Sequence, residues 1–386
     1  MASATLSRVR EFTAAIAALS AEIEAARRLP ESLLAALTEA GCFRMLVPVA
    51  YGGNELSVSQ AMEIIEEVSR ADASAGWNLM IAGSNLVVAA LFPRQTFEHI
   101  YRAGPDVVIG GSHAPKGEAR PADRGYRVDG QWPFASGCEY SSWLVGQCAI
   151  VENGARKMLP SGKPAMRLAL MPADEVEVVD TWHVMGLCGT GSHDIRVRRK
   201  FCPAERTCSL FGAQPSIDGT VFRIPPIAQL GLFIAAVALG IAQGSLDDLA
   251  GIAKGGKRSA YSGVPISRSA VLQTSIGQAD TTLRAARSLL YSTSDGAWRM
   301  ASSGEEFSLL DRARMRATSS RAVELSADVV AECFRGAGSA ALYLRSPLQR
   351  RLRDMSVLTQ HTGVGSDFFT AAGALIMGEP TDATRI

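Results

Sequence analysis

The sequence has almost no net charge and few histidines. Its 386 residues carry 39 lysines and arginines against 38 aspartates and glutamates, a formal net charge of +1. A protein that neutralises nucleic-acid phosphates needs a basic excess, so we expect no nucleic-acid partner. The five histidines include no HExxH motif and no pair spaced by four residues. This pattern gives no support to a metal site.

Motifs of several common enzyme classes are also missing. The sequence contains no Walker loop, no GxGxxG after a strand-like run and no GxSxG. Their absence argues against a P-loop, a Rossmann dinucleotide site and a hydrolase nucleophile elbow. The seven cysteines form an odd set without a CxxC pair. Such a set is typical of reduced thiols in the cytoplasm rather than of a disulfide framework.

Two long segments, residues 73–93 and 224–246, contain no charged residue. Each is long enough to cross a bilayer. Asn78 in the first segment and Gln229 in the second are polar, and no basic cluster flanks either one. We therefore expect buried helices at the centre of a bundle or at a subunit interface, with no membrane contact. Glu and Arg within the apolar pattern of the N-terminus predict an amphipathic helix rather than a signal peptide.

The chain divides into three segments that differ in their pattern of apolar residues. Residues 1–105 show apolar residues at helical spacing, and residues 216–386 return to long helical periods. Residues 106–215 contain short β-rich runs with turns between them, including a hairpin signal at Asp129-Gly130. Runs without intervening helices predict an antiparallel barrel or sandwich. The expected fold class is therefore α+β, with two helical domains flanking a β domain.

Three histidines lie in glycine-rich or turn-like surroundings, namely His113, His193 and His361. A histidine in a loop over a pocket can act as a general acid or base, because its pKa lies near neutrality. His193 follows Ser192 in a turn, so it could simply cap a strand. His99 and His183 are expected to be packing or surface residues.

Two segments combine small residues with hydroxyls and aromatic rings. Residues 134–143 read Phe-Ala-Ser-Gly-Cys-Glu-Tyr-Ser-Ser-Trp, and residues 185–193 contain three glycines before Ser192 and His193. Backbone amides in such glycine-rich turns can approach a ligand closely. The pattern suits a flat heteroaromatic cofactor, and it also suits two ordinary β-turns.

These segments, in this order, resemble the acyl-CoA dehydrogenase family over nearly the whole chain. Leu46 to Gly53 is similar to the family's "P..yGG" loop, and Tyr126 to Ser136 is similar to its "Y.lnG.k.wit" hairpin. Trp182 to Ser192 resembles its "mG.rgt.s" entry, and Arg353-Asp354 resembles its "RD" pair. The resemblance implies an N-terminal helical domain, a central antiparallel β domain and a C-terminal four-helix bundle, with a flavin between the last two.

The chain departs from the family where dehydrogenation needs a base. The family carries a glutamate shortly after "RD", whereas residues 358–363 here read Leu-Thr-Gln-His-Thr-Gly without a carboxylate. The altered pattern resembles the two-component flavin-dependent monooxygenases. That branch implies an oxygenase component that receives reduced FMN or FAD from a separate NAD(P)H:flavin reductase. With O2 it forms a C4a-hydroperoxyflavin and hydroxylates a small aromatic or heteroaromatic molecule.

The resemblance also implies roles for individual residues. We expect catalytic roles for His361 as a base, His113 as a second base or orienting residue, and Ser136 at the flavin N5 edge. Cofactor contacts are expected from Phe134, Ser136, Thr190, Ser192 and His113. Trp77 and His361 are expected to line the substrate pocket, and the assembly is expected to be a cytoplasmic homotetramer.

Two other functions stay open from the sequence alone. The first is an acyl-CoA dehydrogenase or related flavin oxidase with a relocated base, for which Glu332 or Asp354 would have to serve. The second is a catalytically silent protein that binds a flavin or an aromatic molecule.

Overall fold

In the computed structural model, helices flank a β domain on both sides along the chain. The structure describes residues 3–259, 263–382 and 386. The first group of helices comprises α1 Ala4–Ala26, α2 Glu31–Ala40, α3 Val58–Ala71, α4 Ala73–Ala89 and α5 Arg94–Ile100. The second group comprises α6 Thr220–Arg223, α7 Pro226–Lys254, α8 Ala270–Ser303, α9 Leu309–Ala337, α10 Pro347–Leu358 and α11 Asp367–Ile376.

Local sequence explains where the helices next to the site begin. The Asp72 carboxylate accepts a hydrogen bond of 3.0 Å from the Ala75 amide and so caps α4. Ser57 and Gln60 form a reciprocal capping box at the start of α3. Pro226 occupies the first turn of α7, where its missing N–H is not needed. These signals fix where the helices begin, and α3 and α4 pack against α7, which packs in turn against α8, α9 and α10.

The two charge-free segments form the buried helices α4 and α7. Within the described part of the chain, α7 alone is long and apolar enough to cross a membrane by length and composition, and 83% of its most apolar window is buried. The central helix of a helical bundle meets the same criterion. Burial of α7 among α3, α4, α8, α9 and α10 therefore accounts for its composition.

Eight strands of the described residues form one mixed sheet. Their order across the sheet is β6-β7-β2-β1-β3-β5-β8, with β4 paired to the end of β3. The strands are β1 Ile109–Ala122, β2 Gly125–Trp132, β3 Trp143–Glu152, β4 Ala155–Arg156, β5 Met166–Pro172, β6 Glu177–Val179, β7 Asp194–Pro203 and β8 Thr207–Cys208. The expected boundaries at residues 105 and 215 lie in the connections on either side of these strands.

The expectation of a purely antiparallel β domain was wrong for one pair of strands. β1 and β3 run parallel, with Ile109 opposite Trp143, whereas the other pairs are antiparallel. The reason is that β1 lies between β2 and β3 in the sheet. Because β2 runs against β1 and the chain reverses again before β3, β3 must run with β1. The reversal, residues 133–142, therefore crosses the end of β1 and carries Phe134 and Ser136 to the middle of the sheet.

The hairpin expected at Asp129-Gly130 was also wrong, because both residues lie inside β2. Asp129 accepts a hydrogen bond of 3.0 Å from the Arg199 amide where the β2–β7 register shifts. At Gly130, a Cβ would lie 2.8 Å from the ring of the buried Trp132. Glycine is required here by close packing and not by a turn. The β1–β2 turn instead contains Arg124, at a φ of +56°.

All seven cysteines are unpaired and buried. Burial raises the pKa of all seven thiols, to about 12 for Cys42, Cys138, Cys202, Cys208 and Cys333. These side chains act as small apolar packing groups. Across the described ranges, the structure contains no cluster of three or more His, Cys, Asp or Glu side chains placed to hold a metal ion.

Candidate active site

The connection between β2 and β3 presents an aromatic ring and a hydroxyl next to each other. Phe134 has a φ of +63°, which is rare for a residue with a side chain, and its side chain is 65% exposed. Its ring packs edge-to-face on Trp182, with 6.1 Å between centroids. The Ala135 and Gly137 amides donate to the carbonyls of His193 and Thr190. These bonds fix the connection to the loop of residues 181–193 and hold the exposed Phe134 ring beside that loop.

Four side chains form a continuous series of hydrogen bonds, which we call the hydroxyl chain. The Trp77 indole Nε1 donates to Ser136 Oγ at 3.0 Å. Ser136 Oγ lies 2.6 Å from Ser192 Oγ, and Ser192 Oγ lies 2.7 Å from Thr190 Oγ1. Thr190 Oγ1 donates to the Leu187 carbonyl oxygen at 2.8 Å. All four side chains are buried, so their polar atoms have well-defined positions.

The loop that carries Thr190 and Ser192 is held from behind by the Arg353-Asp354 pair. Leu187 has a φ of +51°, and its amide donates to Asp354 Oδ1 at 2.6 Å. A Cβ at Gly186 would lie 2.3 Å from the Arg353 carbonyl oxygen, so this contact requires glycine. Burial and the nearby Asp72 carboxylate raise the pKa of Asp354 to about 7. The pair therefore positions the loop and does not face a substrate.

His361 and His113, the histidine pair, lie close enough for the charge of one to lower the pKa of the other. The pKa of His361 is lowered to about 4 by burial, with further contributions from Arg316 and His113. Burial lowers the pKa of His113 to about 4 as well. Both side chains nevertheless keep part of their surface exposed, as expected in a concave site. His113 lies at the irregularity between Ser112 and Gly117, where β1 shifts register against β3.

The tautomer of His361 follows from its hydrogen bond. His361 Nδ1 accepts from the Gly363 amide at 2.9 Å, so in the neutral ring the hydrogen is on Nε2. His361 thus offers a donor at Nε2, whereas the sequence suggested a base. Its ring packs edge-on against Trp77 with 5.5 Å between centroids. Because the same indole bonds Ser136, Trp77 joins the histidine pair to the hydroxyl chain.

The other three histidines lie outside this cluster. His193 is buried, and its Nδ1 accepts from the Thr181 and Trp182 amides, each at 3.2 Å. These contacts tie His193 to the turn that precedes the loop, whereas the sequence analysis considered a strand cap. His183 is exposed beside Asp180, and His99 packs edge-on against Trp143.

One buried residue near the histidine pair, Arg316, is not among those expected from the sequence. Arg316 on α9 is 2% exposed, donates to the Ile227 carbonyl and stacks on Phe368 with 3.8 Å from its Cζ to the ring centroid. Its positive charge helps keep His361 neutral. The signal was its position three residues after the buried Ala313 and three before the buried Ser319, on the inner face of α9.

Neither carboxylate considered as a relocated base is placed for that role. Asp354 is buried, and it accepts from the Leu187 amide. Glu332 pairs with Arg335 on the same helix, and hydrogen bonds from Ser275 and Arg335 lower its pKa. Stabilised as an anion, the Glu332 carboxylate is a weak base, whereas Asp354 is kept from a substrate by its burial.

The arrangement fits a flavin by the chemistry of its donors and rings. An isoalloxazine has a flat face and a polar N5 edge, and the site offers the exposed Phe134 ring beside the Ser136 hydroxyl. Two family profiles match the chain: "Acyl-CoA dehydrogenase, N-terminal domain" over residues 2–94 and "Acyl-CoA dehydrogenase, C-terminal domain" over residues 232–366. These matches agree with the fold described above.

Individual relatives define the branch within this fold. Indole-3-acetate monooxygenase of Pseudomonas putida is 32% identical over 359 residues, covering 93% of this chain and 90% of the relative. The oxygenase component of an FADH(2)-dependent resorcinol hydroxylase from a Rhizobium species is 30% identical, with 92% and 88% coverage. The crystal structure of 3-HSA hydroxylase from Rhodococcus sp. RHA1 superposes with a TM-score of 0.93 at 26% identity, covering 100% of this chain and 99% of that one.

The chain belongs to the flavin-dependent monooxygenases that are built on the acyl-CoA dehydrogenase fold. It is an enzyme, the oxygenase component of a two-component system that depends on reduced flavin.

Proposed function

We propose that this enzyme hydroxylates a small aromatic or heteroaromatic ring that carries a hydroxyl or a ring N–H, using O2 and reduced FMN or FAD. One observation carries the proposal: Trp77 contacts His361 with its ring and Ser136 with its Nε1. A flavin edge at Ser136 and a substrate at the histidine pair would therefore be neighbours. When bound, the reduced flavin supplies the activation of oxygen. The aromatic specificity is supported by relatives that act on indole-3-acetate and resorcinol.

The residues of this chain divide the remaining tasks. Phe134 would pack on the flavin ring, and Ser136 would bond its N5 edge, with Ser192 and Thr190 hydrogen-bonded behind Ser136. His361 donates from Nε2 to the substrate's oxygen, because its Nδ1 is engaged by the Gly363 amide. His113, neutral at physiological pH, accepts a hydrogen bond from the substrate's hydroxyl or ring N–H. Trp77 forms the apolar wall between them and excludes water.

Assembly and location complete the proposal. Apolar residues in and beside the second group of helices are strongly exposed in the single chain, for example Leu342, Leu344, Ile376 and Met377 at 65–86%. Exposed apolar surface of this kind favours burial between subunits, and we propose a homotetramer. The unpaired thiols and the need for NAD(P)H-dependent flavin reduction support a cytoplasmic location. The reductase is expected to deliver flavin by diffusion.

Reconstitution with a flavin reductase tests the function. The purified chain is mixed with NADH, a reductase, FAD or FMN, and a panel of phenols and indoles under 18O2. We expect one 18O atom in the product, and only when reductase and chain are both present. His361→Ala is the catalytic control and His183→Ala the matched surface control.

Two outcomes would contradict the proposal. Reduction of tightly bound flavin by an acyl-CoA without a reductase would indicate a dehydrogenase. Binding of reduced flavin and aromatics without product from any member of the panel would indicate a silent binding protein.

A further inference from the structure

The direction of every proton in the hydroxyl chain follows from a simple count. Three oxygen–oxygen contacts join Ser136, Ser192, Thr190 and the Leu187 carbonyl, at 2.6, 2.7 and 2.8 Å. At these distances two oxygens repel unless a hydrogen lies between them. Three hydroxyl hydrogens are available for the three contacts. Each contact therefore takes one hydrogen.

The carbonyl end fixes the order. A carbonyl oxygen only accepts, so the contact between Thr190 and Leu187 uses the hydrogen of Thr190. The hydrogen between Thr190 and Ser192 must then come from Ser192. The hydrogen between Ser192 and Ser136 must come from Ser136.

The indole end adds a further donor. Trp77 Nε1 can only donate, and it donates to Ser136 Oγ at 3.0 Å. Ser136 thus gives its own hydrogen to Ser192 and accepts one from Trp77. A hydroxyl oxygen has two lone pairs, so one remains. In this arrangement Ser136 can accept one more hydrogen bond but cannot donate one.

We propose that Thr190, acting through Ser192, fixes Ser136 as a hydrogen-bond acceptor and so makes the site select a flavin that carries N–H at N5. Reduced flavin has that N–H, whereas N5 of oxidised flavin is an acceptor that would face a second acceptor. Thr190 and Ser192 are positioning residues for redox-state selection. This inference rests on the proposed function, which places the N5 edge at Ser136.

Thr190→Val removes the hydroxyl hydrogen that anchors the hydroxyl chain at the Leu187 carbonyl. The substitution keeps the volume of the side chain. The Leu187 carbonyl retains the Trp182 Nε1 and Thr190 backbone N–H donors, each at 3.1 Å, so it is not left unpaired. Ser192 can then donate to Ser136, and Ser136 can donate to oxidised N5. We expect the variant to bind oxidised FAD and FMN about three- to tenfold more tightly than the wild type, as one gained hydrogen bond implies. The affinity for reduced flavin should stay the same.

The measurement is the anaerobic dissociation constant of oxidised and dithionite-reduced FAD and FMN, with the midpoint potential of the bound flavin. In Thr190→Val that potential should fall by about 15–30 mV, the same affinity ratio expressed for a two-electron couple. Thr190→Ser keeps the anchoring hydroxyl and should match the wild type. Oxidised 5-deazaflavin, which has C–H in place of N5, should gain nothing from Thr190→Val.

Ser192→Ala provides a second variant, because it also frees the Ser136 hydrogen and should raise the affinity for oxidised flavin. A wild-type protein that binds oxidised flavin as tightly as reduced flavin overturns the inference without any variant. An unchanged affinity ratio in Thr190→Val and Ser192→Ala, in a protein that still hydroxylates its substrate, overturns the inference and leaves the proposed function standing. A wild type that binds neither redox state of either flavin overturns both.

Discussion

The hydroxyl chain and the histidine pair both adjoin Trp77 and are built in opposite ways. Every hydroxyl of the chain is buried and bonded, and Asp354 holds the loop beneath it. His361 and His113 keep exposed surface, and the pKa of each is lowered to about 4. The first arrangement orients a ligand edge, and the second supplies neutral groups that can exchange hydrogen bonds with a substrate. Because different residues orient the ligand edge and exchange hydrogen bonds with the substrate, a substitution can alter one task without the other.

The largest expected effect is on the histidine side. His361→Ala removes the Nε2 donor that would stabilise negative charge on the substrate's oxygen. We expect the rate of hydroxylation in single turnover to fall by about 10²–10³, as for the loss of one donor to a developing charge. Reduced-flavin binding should change little, because His361 contacts the Trp77 ring and makes no hydrogen bond to the hydroxyl chain. Equal loss of flavin binding and hydroxylation would abolish the distinction between the two sides.

Ser136→Ala should separate oxygen use from product formation. Without the hydroxyl, the N5 edge loses its bond and the activated oxygen is released as hydrogen peroxide more often. We expect the ratio of product to NADH consumed to fall by about tenfold, the value of one good hydrogen bond. Hydrogen peroxide and product are measured together. A variant with unchanged coupling would show that Ser136 does not face the flavin.

His193→Ala should act on stability more than on chemistry. The substitution leaves the Thr181 and Trp182 amides without the Nδ1 acceptor. We expect the free energy of unfolding to fall by about 1–3 kcal/mol, as measured by chemical denaturation. The hydroxylation rate should change by less than about threefold, since His193 holds a turn. A loss comparable to that of His361→Ala would give His193 a role in the reaction.

The smallest expected effect is that of pH on the histidine pair. With pKa values of about 4, both rings are neutral above pH 5, so their protonation should leave the hydroxylation rate flat from pH 8 to pH 5. A step near pH 6.5 that disappears in His113→Gln or His361→Gln would show that burial does not hold these rings neutral. The lowered pKa values also affect folding. The unfolded chain binds these protons first, so stability should decrease as the pH falls from about 6.5 to 4.

The sequence predicted the segments of this fold better than its strand geometry. Helical periods are local signals, and both groups of helices fall within the segments that show them. The parallel β1–β3 pair depends on which strand enters between two others, and no local pattern encodes that order. Asp129-Gly130 has the composition of a turn, but close packing on Trp132 explains its glycine.

The site shows the same division. The resemblance indicated residues near one ligand, and the structure brings Trp77, Ser136, Ser192 and Thr190 together. The tautomer of His361 could not be read from the sequence, because it depends on the backbone amide of Gly363. The same holds for the Leu187 carbonyl that orients Thr190, since a backbone acceptor leaves no trace in residue identity.

The buried cysteines bear on how long the enzyme survives its own chemistry. Hydrogen peroxide released in unproductive cycles attacks thiolates, and a pKa near 12 leaves about one thiolate in 100,000 thiols at pH 7. The thioethers of Met158, Met185 and Met377 are 54–75% exposed and have no such protection. Oxidation should therefore accumulate as methionine sulfoxide at these surface positions.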